Sequence, residues 1–443
     1  MMAERVLCLL LASAVFAYAD NNVPTIANDF IFTFFNAYLH NQNPSDVLLL
    51  ALVSNNNNGT ANVVVTSPYL SFKTIRVSVA PYSVLKIPIT PESIQDQYPG
   101  IPNVTATGNI VVEDKGIRLQ SDLPVAVHAH AELYSGVSTD SFMVIPAIHL
   151  GTQYAAVASL LHPFPNMIAV VAYQDNTQVT IGTQTVTINA LQVASVASKI
   201  YLSGTVISGN KPFGAISGCT CGWLSEDEYC NYEAVMLLPV GSWGTEFVAI
   251  PSFNTTYNYY QAVTNTNYTI VSAGGKIVAI LNAGEYRNFG IGASLVTSNF
   301  PIQIVQVGKN PGFGRNPLAQ PFFLQLPSTD KMSNTNVLFQ PTGFFEYDGW
   351  HLVFYLRIVT NLAGTGTIQL DGTTINALQF KRVPNSTYYY YESSALNTTH
   401  SVTTTSPGTK YFVASYTYGH GEGCGFACAF DLPIGNPAAK TIA

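Results

Sequence analysis

The sequence predicts an all-β protein built from tandem sandwich-like repeats of about 90–110 residues, four modules in all, and three observations carry that expectation. A proline-centred apolar segment recurs three times: GIRLQSDLPVAVHAHAE around Pro124, TVISGNKPFGAISG around Pro212 and ASLVTSNFPIQIVQVG around Pro301. The prolines are spaced 88 and 89 residues apart. A second block, MVIPAIHLGTQYAAVASL at 143–160, matches MLLPVGSWGTEFVAIPSF at 236–253 with a constant offset of 93 residues. Aromatic residues make up 12% of the chain, β-branched residues are abundant, and short apolar or alternating runs lie between turn signals without a helical period.

Met1–Ala19 reads as a secretory signal peptide, with Arg5, an apolar run over Val6–Phe16, and Ala17-Tyr18-Ala19 before Asp20. No later stretch approaches about 18 uninterrupted apolar residues, and the C-terminal GNPAAKTIA lacks the apolar tail of a lipid-anchor signal. A secreted, extracellular protein without membrane insertion is expected.

Module one (20–139) holds DFIFTFF, VLLLALV, ANVVVTS, FKTIRVSV, YSVLKIPI, GIRLQ and VAVHAHA, seven short strands of the kind that form a sandwich. Module two (140–232) and module three (233–321) open on the matched Met-x-x-Pro blocks. Module four (322–428) opens at LQLPSTD, lacks the closing proline in GTKYFVASYTYG, and carries the Tyr388–Tyr391 insertion. TINALQ occurs at 187–192 and 374–379, at one point of the module, with LNAGEY at 281–286 a looser copy. The proline segments are expected to be closing hairpins with the proline at a turn or edge. A tail (429–443) repeats the Leu-Pro step at Pro433 and stops, which would let the last strand pair with module one and close a ring. Seven strands per module fit a sandwich better than a four-stranded propeller blade.

Charged residues are only 10% of the chain, the net charge is −7, and the 18 Lys and Arg form no cluster, so a nucleic-acid footprint is missing. Polarity comes instead from Thr, Asn, Ser, Gln and Tyr. Six Asn-x-Ser/Thr sequons, at Asn58, Asn103, Asn254, Asn267, Asn385 and Asn397, mark expected glycosylated surface loops; Asn43 is excluded by Pro44.

Cys8 would leave with the signal peptide, and five cysteines remain: Cys219, Cys221, Cys230, Cys424 and Cys428. In an oxidising compartment they give two bridges and one leftover thiol. Cys230 is expected to pair with Cys219 or Cys221, and Cys424 with Cys428. His128, His130 and Glu132 alternate along one strand and would share a face, the sharpest metal-like pattern in the chain. A polar strand face explains them equally, and no metal or cofactor is assigned. Glu226, Asp227 and Glu228 form an acidic loop that reads as solvated, with calcium as the other option. The chain contains neither a Gly-x-Ser-x-Gly elbow nor His-Glu-x-x-His, so an enzyme is not expected. Tyrosine-rich stretches at 255–268 and 387–393 suit either cross-strand packing or contact with proteins and sugars.

The motifs SDLPVAV, GNKPFGAIS and SNFPIQIV, the LPVGSWGTEF opening, and the loop SGCTCGWLSEDEYCNYEAVMLLP resemble the N-terminal domain of the IgG Fc-binding protein family. The likeness covers most of the chain after the signal peptide and is clearest at 116–310. It implies a secreted, non-enzymatic protein of extracellular or mucosal settings. The large mucus proteins of that name add von Willebrand type D modules, for which five cysteines leave no room. The expected function is binding of an extracellular protein or glycan. The alternatives are a matrix or mucus component assembling through repeat edges and cysteine, and a metal-dependent hydrolase using His128, His130 and Glu132.

Overall fold

The computed structural model describes residues 22–37, 47–97, 106–133, 138–159, 164–224, 230–308, 321–343, 352–419 and 422–439. The signal-peptide segment, the Asn103 sequon and the acidic residues Glu226, Asp227 and Glu228 lie outside them. The described residues form strands and turns, with short 3₁₀ turns such as Ala147–His149 and Val240–Ser242 as their helical elements. The chain is all-β, as its composition predicts.

Each of the first three modules is organised on one long strand: Ile117–Leu133, Val206–Gly222 and Ser294–Val307. In module one, residues 118–121 pair with Ala61–Thr66, whereas residues 126–133 pair with Val47–Asn55. The long strand therefore belongs to one sheet at its start and to a second sheet at its end. The proline marks the change of sheet. The hairpin expected at each proline is absent: Val206–Gly222 is one continuous strand of 17 residues. Its pairing passes from Thr177–Ile181 at Gly209 to Asn166–Ala172 at Phe213.

The recurring Asp/Asn-x-Pro explains how the bend is made. Proline has no N–H to leave unpaired where the ladder breaks. The Asx residue two positions earlier replaces the lost acceptor. Asn62 N donates to Asp122 Oδ1 at 2.7 Å, Gln178 N to Asn210 Oδ1 at 2.8 Å, and Ile270 N to Asn299 Oδ1 at 2.7 Å. Strands that switch sheets by such bends make the corners of orthogonal packings. Module four has no such proline, and its counterpart Tyr411–Gly419 stays within a single sheet.

The strand after each long strand pairs back along it and forms the inner edge of its module. These inner strands are Ser138–Met143, Asn231–Met236, Phe323–Leu326 and Glu422–Ala429. They lie against one another in chain order around a common axis, each neighbouring the next and the fourth neighbouring the first. The sheets that carry these inner strands thus stand like the blades of a four-bladed propeller, with a second sheet attached to each. The sandwich and the blade are both present because one strand serves both sheets. The boundaries expected after residues 139 and 232 fall inside these axial strands, so each repeat opens on the strand that completes the preceding sheet.

The ring is closed by its ends. Val23–Pro24 pairs antiparallel with Asp431–Leu432, and Thr25 N donates to Phe430 O at 2.9 Å. Beyond that clasp, Gly435 N and Asn436 N both donate to Ile148 O. The repeated TINALQ and LNAGEY are one turn used three times. Asn189 N donates to Gln192 Oε1, Asn282 N to Glu285 Oε2, and Asn376 N to Gln379 Oε1, each at 2.7–3.2 Å. Side chain and backbone satisfy each other across three residues, in the manner of a capping box.

Candidate functional site

Two buried polar side chains, Asp140 and Asn231, bridge the strands at the axis. Asp140 lies on the first axial strand, and its alternation with Thr139 and Ser141 turns its carboxylate toward the other three modules. Its oxygens accept from Ser141 N at 2.8 Å, Ala234 N at 3.0 Å, Phe323 N at 3.0 Å and Gly425 N at 3.4 Å. One side chain thereby joins the axial strands of all four modules. Burial pushes the carboxyl well above its ordinary range, against the pull of the N–H donors, and Glu233 adds to the rise.

Asn231 performs the reciprocal task at the start of the second axial strand. Its Nδ2 donates to Thr139 O at 2.8 Å, Pro321 O at 2.7 Å and Gly423 O at 2.7 Å, and its Oδ1 accepts from Thr139 N at 2.7 Å. The starts of the axial strands are therefore gathered at one end of the ring. Between the strands, only about 10 Å³ remains among Phe142, Met236, Phe323 and Phe426, at most a single water's space. Among the described residues, the axis at this level is a packed core.

At the opposite end, the turns that follow the axial strands line a cavity of about 470 Å³. His149, Gln153, Pro239, Ser242 and Ile434 form its wall. His149 does not present a vacant nitrogen: Nδ1 lies 2.9 Å from Pro433 O and Nε2 3.2 Å from Pro24 O. Burial lowers its pKa, opposed by those carbonyls and by Asp431. The imidazole fastens the ring closure.

His128, His130 and Glu132 do share one face, fully buried at the seam between modules one and four. His128 Nε2 lies 3.1 Å from Ala427 O, and its ring sits 4.3 Å from that of Phe426. His130 Nδ1 meets Ser141 Oγ at 2.8 Å, and its Nε2 meets Glu132 Oε2 at 3.0 Å. Among the described residues, no group of three or more His, Cys, Asp or Glu is placed to hold a metal ion. Burial drops the His128 pKa from 6.5 to about 4, while the Ala427 and Cys428 backbone groups oppose the drop. An unfolded chain therefore takes up this proton between pH 6.5 and 4 when the folded chain does not, so stability rises with pH across that window. Urea unfolding should show a loss of about 3 kcal/mol from pH 7 to pH 4 attributable to this ring, much reduced in His128→Asn.

Cys221 and Cys230 form a disulfide, which agrees with the expected partner of Cys230. The expected Cys424–Cys428 bridge does not form, and Cys428 is a buried thiol. Both cysteines lie on the strand Glu422–Ala429, four residues apart. At about 3.3 Å per residue that is roughly 13 Å, far beyond the reach of a disulfide. Cys424 Sγ instead lies 3.3 Å from Thr342 Oγ1. Cys219 is a second buried thiol, and burial pushes it well above its ordinary pKa. Non-reducing peptide mapping should recover Cys221 joined to Cys230, with Cys219 and Cys428 alkylated only after unfolding.

The surface carries the remaining expected residues. Asn58, Asn254, Asn267, Asn385 and Asn397 are all exposed. The tyrosine stretches divide: Tyr260 is buried, Tyr257 and Tyr388–Tyr391 are half-buried, and Tyr268 is exposed. Tyr388–Tyr391 pairs along Val353–Asn361, so most of that run is cross-strand packing. Asp140, Asn231 and Arg357 lie outside the motifs that stand out in the sequence. The 93-residue offset already places Asp140 opposite Glu233 and Met143 opposite Met236. An acidic residue therefore stands three positions before the matched methionine in both copies.

The described residues form a closed ring of four β-modules, joined at its axis by the buried Asp140 and Asn231. The family model described as IgGFc binding protein matches residues 140–419, more than half of the chain, and the chain belongs to that family. The IgGFc-binding protein of Homo sapiens is 26% identical over 255 residues, which cover 56% of this chain and 4% of that protein. The chain thus spans a small fraction of the length of this relative.

Proposed function

We propose that the chain is a secreted, glycosylated, non-enzymatic binding protein that recognises a protein or glycan outside the cell. The observation that carries this reading is the fate of its chemically capable groups. Asp140, Asn231, His128, His130 and Glu132 are buried and bonded within the ring. Recognition is left to polar surface loops rich in Asn, Thr and Tyr. The relative's name makes the Fc region of immunoglobulin G the first ligand to test. Burial of Cys219 and Cys428 favours a monomeric binder over covalent assembly. Purified chain from a secreting host should bind immobilised Fc or a defined glycan saturably, and without response to chelators. A folded protein inert toward Fc and across a glycan array would overturn the reading.

A further inference from the structure

The third module differs from its copies at one surface. Its sheet of Thr269–Ala273 and Lys276–Leu281, with the adjoining turn, exposes Tyr268 (75%), Ile270 (37%), Ile280 (64%) and Phe300 (40%). Ile270 and Ile280 are directly paired across the strands Thr269–Ala273 and Lys276–Leu281, so their side chains share a face. Asn299 draws the others in: its Oδ1 accepts from Ile270 N, its Nδ2 donates to Tyr268 O, and Phe300 follows it.

Module two supplies the internal comparison. Gln178 and Thr187 form the corresponding pair, Asn176 has the same positive φ as Tyr268, and Lys211 follows the equivalent Asn210. All four positions are polar there, and here they are two isoleucines, a phenylalanine and a tyrosine. Module one places Asn62 and Ser78 at the paired positions, again polar. An exposed apolar cluster of this kind suits a covering group.

The residue beside the cluster changes with it. Asp175 Oδ1 accepts from Ala190 N at 2.9 Å in module two, and Asn267 Oδ1 accepts from Ala283 N at 3.0 Å in module three. The structural role of the side-chain oxygen is identical in both. Only the asparagine adds an amide nitrogen, on an exposed residue, and only there does Asn-Tyr-Thr make a sequon. Glycosylation would leave the Oδ1 bond intact.

We propose that Asn267 carries an N-linked glycan whose first N-acetylglucosamine residues lie over Tyr268, Ile270, Ile280 and Phe300. Transfer from a lipid-diphosphate oligosaccharide forms the Nδ2–C1 bond and breaks the C1–O bond to the diphosphate. The lipid diphosphate leaves, and the displaced Nδ2 proton passes to the transferase base or solvent. The apolar faces of the sugar rings then take the place of water on the aromatic and isoleucine side chains. The inference rests on the secreted reading above.

The test uses full-length chain secreted from a glycosylating host. Glycopeptide mass spectrometry should find Asn267 occupied. Trimming every glycan to one N-acetylglucosamine should leave binding of a hydrophobic dye low. Complete enzymatic removal, which leaves aspartate at the attachment site, should raise it several-fold, and Asn267→Asp should match that rise. Restoring the module-two residues through Ile270→Gln, Ile280→Thr and Phe300→Lys should abolish the rise; the single Ile280→Thr, chosen in case the triple variant misfolds, should lessen it. A bare Asn267 in a chain whose other sequons are occupied would overturn this inference alone, as would equal dye binding after trimming and removal. A chain modified at no sequon would overturn the glycosylated reading together with it.

Discussion

Asp140→Ala should lower the unfolding free energy by about 4 kcal/mol or more, making it the most damaging single truncation at the axis. The substitution removes the acceptor for Ser141 N, Ala234 N, Phe323 N and Gly425 N at a fully buried position. Each orphaned donor costs about 1–3 kcal/mol, and a packed axis leaves little room for water to replace the carboxylate. Asp140→Asn keeps the shape and one acceptor oxygen but sets an NH₂ against N–H donors, so its loss should be intermediate. Urea denaturation of the folded variants measures both. A loss below about 1 kcal/mol for Asp140→Ala would mean that the four modules do not depend on this residue for their union.

Arg357→Met should cost about 3–5 kcal/mol, because it strands a buried carboxylate. Arg357 is 2% exposed and pairs with Glu392 at 2.8 Å. It also donates to Pro251 O at 2.7 Å and Gln306 Oε1 at 3.2 Å, tying module four to module three. Its guanidinium lies 5.2 Å from the Tyr416 ring centroid, and the Tyr416 hydroxyl bonds to Glu392. The double variant Arg357→Met/Glu392→Leu should recover much of the loss, since a buried pair replaced by apolar groups is often close to neutral. A double-mutant cycle by urea denaturation checks this: strictly additive losses would show that the two groups are not coupled.

The repeat, the strand content and the position of the prolines were legible because they depend on local pattern and period. The direction of the chain at Pro212 was not. A proline between two apolar runs is compatible with a turn or with a bend, and only the partner strands decide between them. Asn210 was the available clue, since an Asx side chain two residues before the proline can substitute for a ladder carbonyl. The pairing of the axial strands is hidden in the sequence for a related reason. MVIP and MLLP look like beginnings because they start the strongest sequence match, yet Ser138–Met143 and Asn231–Met236 pair back along the strands before them. The Cys424–Cys428 pairing failed because nearness in sequence is distance in an extended strand. His128, His130 and Glu132 share the face their spacing required, but that face meets another module, which no single-strand pattern reveals.

The ring itself is tested most directly by joining its ends. Val23 and Leu432 are directly opposed in the antiparallel clasp between the two ends of the chain. A Val23→Cys/Leu432→Cys variant should oxidise to an intramolecular disulfide, identified by peptide mapping. It should also raise resistance to urea, because the bridge closes nearly the whole chain into one loop. An open array of four modules would hold the two positions far apart. Recovery of two alkylatable thiols at 23 and 432, or of intermolecular dimers alone, would contradict the closed ring.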